Sequence, residues 1–111
     1  MNPGNDLSQQ DQRARALHAR AIVVDAACPL VTPKGISRHL SALREGGISC
    51  TFSTVASIEQ ARYALDSLAA WYARARELSD VLTLATTTAD IESAKRQGRL
   101  AIVLHFQGGT P

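Results

Sequence analysis

Short apolar runs alternate along this chain with longer stretches in which apolar positions recur every three or four residues, and that alternation predicts its elements in order. Residues 9–20 are charged and Ala-rich, with Leu17 as their one large apolar side chain, and predict a helix. The run after them, residues 21–27, is apolar and partly β-branched and is closed by Pro29, so a buried strand is expected. Residues 37–45 open on a serine suited to an N-cap and stop at Gly46-Gly47, the usual chemistry of a helix end. Residues 48–55 alternate with period two and predict a second strand. Ser57 and Gln60 have capping-box spacing. Ile58, Ala61, Leu65, Leu68 and Tyr72 follow at spacings of three and four, which predicts a long helix with Trp71 and Tyr72 packed on the sheet. Residues 82–85 form a brief apolar stretch. Thr87 or Thr88 then caps a helix through Gln97 that ends at Gly98, and residues 100–106 form the final strand.

Strand and helix in alternation imply a parallel α/β arrangement with right-handed crossovers. A doubly wound nucleotide-binding sheet wants a glycine-rich turn directly after its first strand; here that turn is Ala26-Ala27-Cys28-Pro29. A (β/α)8 TIM barrel needs about 250 residues, and this chain supplies about three strand–helix units, so the expectation is the amino-terminal part of such a barrel. Residues 1–111 are then one partial domain, with residues 1–15 as a polar N-terminal arm.

Composition narrows the function classes. With 45% hydrophobic and 20% charged residues among 111, the chain has the make-up of a globular domain. Twelve basic against ten acidic residues, with the arginines spread rather than gathered, argue against a nucleic-acid partner. No segment approaches the apolar length of a membrane span, and the polar opening lacks a secretory signal, so a cytoplasmic location is expected. Cys28 and Cys50 lie in or beside apolar strands, which suits reduced thiols better than a disulfide.

His18 before the strand ending near Asp25, then Gly46-Gly47-Ile48, Asp90-Ile91, Gly98-Arg99-Leu100 and Gln107-Gly108-Gly109 form an ordered set that resembles the amino-terminal part of the membrane (renal) dipeptidase family. The resemblance runs from about Ala16 to Pro111. It implies a zinc-dependent (β/α)8 hydrolase that cleaves dipeptides, with a small peptide or amide as substrate and a homo-oligomer as one possible assembly. It also implies where metal ligands belong. The family's first strand ends in a His-x-Asp pair shortly after an Asp, and those places here hold Ala27 and Pro29. Its bridging Glu, followed by Gly-Gly, corresponds to Gln107, a neutral amide where two divalent cations need anionic charge. One branch of the family has Phe-Gln at this strand end, and His105-Phe106-Gln107-Gly108 is similar to it.

A parallel strand that runs into a glycine-rich turn carries site residues at its carboxyl end, which makes Gln107 a candidate substrate or metal contact; it equally suits a strand-end amide bonded to neighbouring backbone. Side-chain alternation sets His105 one layer beneath Gln107 and Asp25 beneath Ala27. If alternate strands share a layer, Asp25 and His105 meet as a hydrogen-bonded pair: an imidazole oriented for proton transfer or single-metal ligation, or a satisfied buried polar pair. Cys28 is either a nucleophile or a small apolar filler. His18 and His39 fit solvent-exposed helical positions. Two function classes follow: a dipeptidase-like metallohydrolase, or a binding protein or amidohydrolase of altered metal use that lacks the binuclear zinc site. The 111-residue chain alone is expected to be inactive and to associate through its open sheet edges.

Overall fold

The computed structural model describes residues 8–29 and 31–109. Eight elements follow in the order α1 (Gln9–Arg20), β1 (Val24–Asp25), α2 (Ile36–Glu45), β2 (Cys50–Ala56), α3 (Ala61–Glu77), β3 (Leu82–Leu84), α4 (Thr88–Arg96) and β4 (Leu100–Phe106). Of the expected polar arm, residues 1–7 lie outside the described residues, and residues 9–15 belong to α1.

Several element ends differ from expectation for local reasons. The first strand is two residues long rather than seven, and at its carboxyl end the Asp25 carboxylate accepts the Ala27 amide at 3.1 Å in a local turn. The α2 N-cap is Gly35 rather than Ser37; Thr32 organises the turn, its hydroxyl accepting the Gly35 amide at 2.8 Å. No capping box forms at Ser57 and Gln60. Instead the Glu59 carboxylate accepts the Ser57 amide at 2.6 Å, and α3 starts after Gln60 with no side-chain cap. The capping box that does form is at α4, where the Thr87 hydroxyl accepts the Asp90 amide and the Asp90 carboxylate accepts the Thr87 amide.

The four strands are all parallel, in the order β1-β2-β4-β3. The three strands expected from the sequence lie side by side in chain order as β1, β2 and β4, and the brief apolar stretch of residues 82–85 adds β3 outside β4. Moving two places outward and then one back, right-handed crossovers must place α2 and α3 on one face and α4 on the other. The core confirms it through the alternation of β4. Leu100 and Ile102 pack with Trp71, Ile36, Val31 and Leu82 on the α2–α3 face, whereas Ala101 packs with Cys50, Ala85 and Ala94 on the α4 face. The sheet is compatible with part of a TIM-barrel-like fold, with β1 and β3 as its edges.

The phase of α3 corrects the expected apolar stripe. Ala64 and Trp71 are buried, and Leu68, Ala75 and Leu78 pack beside them at the same three- and four-residue spacing. Ile58, Leu65 and Tyr72 are 82%, 66% and 55% exposed, so Tyr72 does not pack on the sheet while Trp71 does. The ring of Trp71 occupies the space between α3 and the strands, and a helix can turn only one face inward.

Candidate functional site

The register of β2 and β4 builds the candidate site in layers. Cys50 pairs with Ala101, Phe52 with Val103 and Thr54 with His105, and because the strands are parallel each pair shares the α4 face of the sheet. Ala94 and Ile91 of α4 close the lowest layer against Cys50 and Ala101, and Phe52 and Val103 lie packed above them. Helix α4 thus forms a floor, and the layer farthest from it holds two polar side chains. Thr54 Oγ1 lies 3.2 Å from His105 Nε2, and the Phe52 and His105 rings meet tilted with centroids 5.9 Å apart.

His105 is half-buried, and its other nitrogen, Nδ1, lies 3.4 Å from the carbonyl oxygen of Phe106. A neutral imidazole has one donor and one acceptor nitrogen, and the Thr54 hydroxyl can serve as partner to either form at Nε2. Its partner is therefore not Asp25. Asp25 pairs with Thr51, and Thr51 with Ile102, three residues before His105; that odd interval turns the Asp25 side chain to the α2–α3 face. The Asp25 carboxylate is engaged instead with the Ala27 amide in its own turn. The expected Asp25–His105 pair does not form.

Beyond His105 the register shifts between Thr54 and Ala56, and the two strands stay paired as far as Ala56 and Phe106. Gln107 is exposed, and its backbone amide donates to the Ala56 carbonyl at 3.0 Å. Gly108 runs so close to β2 that a Cβ there would stand 2.5 Å from the Ser57 carbonyl oxygen, which explains the need for glycine directly after Gln107. Glu59 stands in the same turn. Its carboxyl pKa is held below the usual carboxylate value, chiefly by the Ser57 amide it accepts. Sequence reading missed Thr54 and Glu59. Period-two alternation of β2 puts Thr54 on the face of Cys50 and Phe52, but its partner is visible only once β2 and β4 are known to be neighbours.

The remaining candidates have structural surroundings. Cys28 is half-buried and packs against the α2–α3 core, its amide donating to the Phe52 carbonyl at 3.3 Å. Cys50 is buried in the α4 cluster, and burial pushes its thiol pKa up; both thiols are free. His18 does not simply face solvent, since its Nε2 lies 2.8 Å from the Gly46 carbonyl oxygen and ties α1 to the end of α2. His39 is half-buried on α2.

The positions that resemblance assigns to zinc do not fit a pair of zinc ions. Ala27 offers a methyl group, Pro29 a ring, and Gln107 a neutral amide, so no anionic oxygen is available to bridge two cations. Among the described residues no three His, Cys, Asp or Glu side chains converge.

No protein-family description matches the sequence, and no curated protein matches it. Solved structures do. A crystal structure of an amidohydrolase from Pseudomonas aeruginosa superposes with a TM-score of 0.69 at 28% identity over 83% of this chain and 27% of its own. The probable dipeptidase PvdM from Pseudomonas aeruginosa superposes with a TM-score of 0.61 at 16% identity over 86% of this chain and 30% of its own, a likeness of fold alone. The chain thus spans less than a third of the length of either structure. The likeness to the amidohydrolase supports kinship with the amidohydrolase superfamily of hydrolases, without singling out the membrane dipeptidase family.

Proposed function

We propose that this chain is part of a hydrolase of dipeptides or closely related small amides, with its site at the carboxyl ends of β2 and β4. The observation that carries the reading is the polar layer Thr54–His105 at 3.2 Å, set at the strand ends of a sheet that superposes on an amidohydrolase. In an open parallel sheet or a barrel, that end of the strands is where chemistry is done. His105 accepts the proton of the attacking water as its oxygen bonds to the amide carbon, and returns it to the nitrogen as the C–N bond breaks. The side-chain amide of Gln107 donates a hydrogen bond to the oxygen on which negative charge develops. No step is assigned to zinc, because Ala27, Pro29 and Gln107 do not fit the pair of ions that the resemblance implies.

The protein that carries this sequence, assayed against a dipeptide panel, tests the reading. Replacing a general base lowers kcat/KM by about a hundredfold or more, and this is expected of His105→Ala. Unchanged turnover in that variant overturns the assignment. A second reading, a binding protein that holds such ligands without cleaving them, is favoured by Ala27 and Pro29 at positions where the resembled enzymes bind metal. It predicts saturable dipeptide binding by calorimetry together with no product.

A further inference from the structure

At the opposite end of the same strands, where the chain enters β2 and β4, a cavity of about 200 Å³ is lined by Arg44, Lys95 and Arg99 together with Ser49 and residues of the two glycine turns. No carboxylate lines it. Among the described residues the one ion pair is Arg74–Glu77, so none of these three cations is neutralised by an acid. Gathering like charges without a counter-charge is unfavourable, and two of the three have a partial explanation. Arg44 stands in the last turn of α2 and Lys95 in the last turn of α4, where a cation is favoured near the carbonyl end. Arg44 Nη2 also donates to the Gly98 carbonyl at 3.1 Å, and Lys95 Nζ lies 3.5 Å from Ser49 Oγ. Arg99 has no such role. It lies past the end of α4, half-buried, and among the described residues its guanidinium has no hydrogen-bonding or ionic partner.

We infer that this cavity binds a divalent oxyanion of the phosphate class, held by Arg99 and Lys95 with Arg44 at its side. A guanidinium presents paired N–H groups that match two oxygens of such an anion, and an ammonium adds a point charge. The nearby backbone amides are already spent: those of Gly47, Ile48, Gly98 and Arg99 all donate to carbonyls of the preceding helices. Recognition therefore falls on the side chains, which makes substitution a direct test.

Inorganic phosphate is titrated into the protein that carries this sequence at constant ionic strength and followed by calorimetry and by amide chemical shifts. The expected result is saturable binding with shifts at residues 47–49 and 98–100. The Kd should rise about tenfold in Arg99→Gln and in Lys95→Met, the loss of one charge-assisted hydrogen bond, and stay unchanged in Lys34→Met, whose exposed side chain lies elsewhere. Absence of saturation, an equal Kd in Arg99→Gln, or shifts centred on residues 105–109 overturns the inference. Should either variant fail to fold, the shift map of the unaltered chain decides alone.

Discussion

Trp71 shows how much one side chain settles here. It is the only tryptophan in the chain and is fully buried between α3 and the strands, with an indole N–H that has no hydrogen-bond partner. Truncating a buried ring of this size costs about 3–5 kcal/mol, so Trp71→Ala should leave little folded protein when unfolding is followed by circular dichroism. Trp71→Phe should cost much less, because it keeps most of the ring and removes a buried donor that nothing accepts. The thiols give a second measurement. Folding holds Cys50 protonated, so its contribution to stability is full at neutral pH and is lost as pH rises through the ordinary thiol range and above it. A thiol reagent should label Cys28 first and reach Cys50 only when the protein unfolds, which mass spectrometry of timed samples reads directly. At Gly98 and Gly108 the same change to alanine has different causes of damage. Gly98 has φ 71° and open space around it, whereas Gly108 has no room beside Ser57. A Gly98→Asn variant should therefore fold nearly as well as the parent, since asparagine tolerates that conformation, while Gly108→Ala must displace the turn that carries Gln107.

At the scale of elements, the α4 capping box is the clearest case of local chemistry acting on the site, because α4 is the floor beneath Phe52 and His105. Removing an N-cap hydroxyl costs about 1 kcal/mol, so Thr87→Ala should lower the denaturant midpoint without changing the slope. Asp90 has a pKa held below the ordinary aspartate value, first by the Thr86 amide and then by the Thr87 side chain. Its contribution is full above the unfolded value and fades as pH falls through the lower folded value. Asp90→Asn should flatten the acid limb of a stability–pH curve, and an unchanged limb would remove this helix end from the account. The elements differ in how legible they are from sequence. Helix α4 and strand β4 carry their own signals, a threonine cap and a glycine stop in the one and a largely apolar run in the other, and these coincide with the structure. The face of α3 was not legible, because Leu65 and Tyr72 are as apolar as Leu68 and Trp71 and only contact with the sheet separates them. Nor was the partner of His105: a strand gives the direction of its side chains, but which strand lies beside it is a property of topology.

For the whole molecule the two edges of the sheet are the relevant feature. Strand β1 is two residues long; its Val24 and the nearby Ile22 are 46% and 42% exposed. An apolar edge of this kind recruits another chain. The 111-residue chain alone should show concentration-dependent association in sedimentation velocity, and Val24→Lys should reduce it.

The position of β4 in the sheet also governs the order in which the protein is made. β4 forms the long ladder with β2 and the only ladder of β3, yet it is the last of the four strands to be synthesised. A growing chain that has reached only Gly98 holds helices α1 to α4 and a two-residue β1–β2 ladder, with β3 unpaired and the inner faces of Trp71 and Ala94 without the strand they pack on. The centre of this sheet is thus filled after its flanks, so a growing chain that stops short of Leu100 should expose the apolar faces of Trp71 and Ala94 that β4 covers.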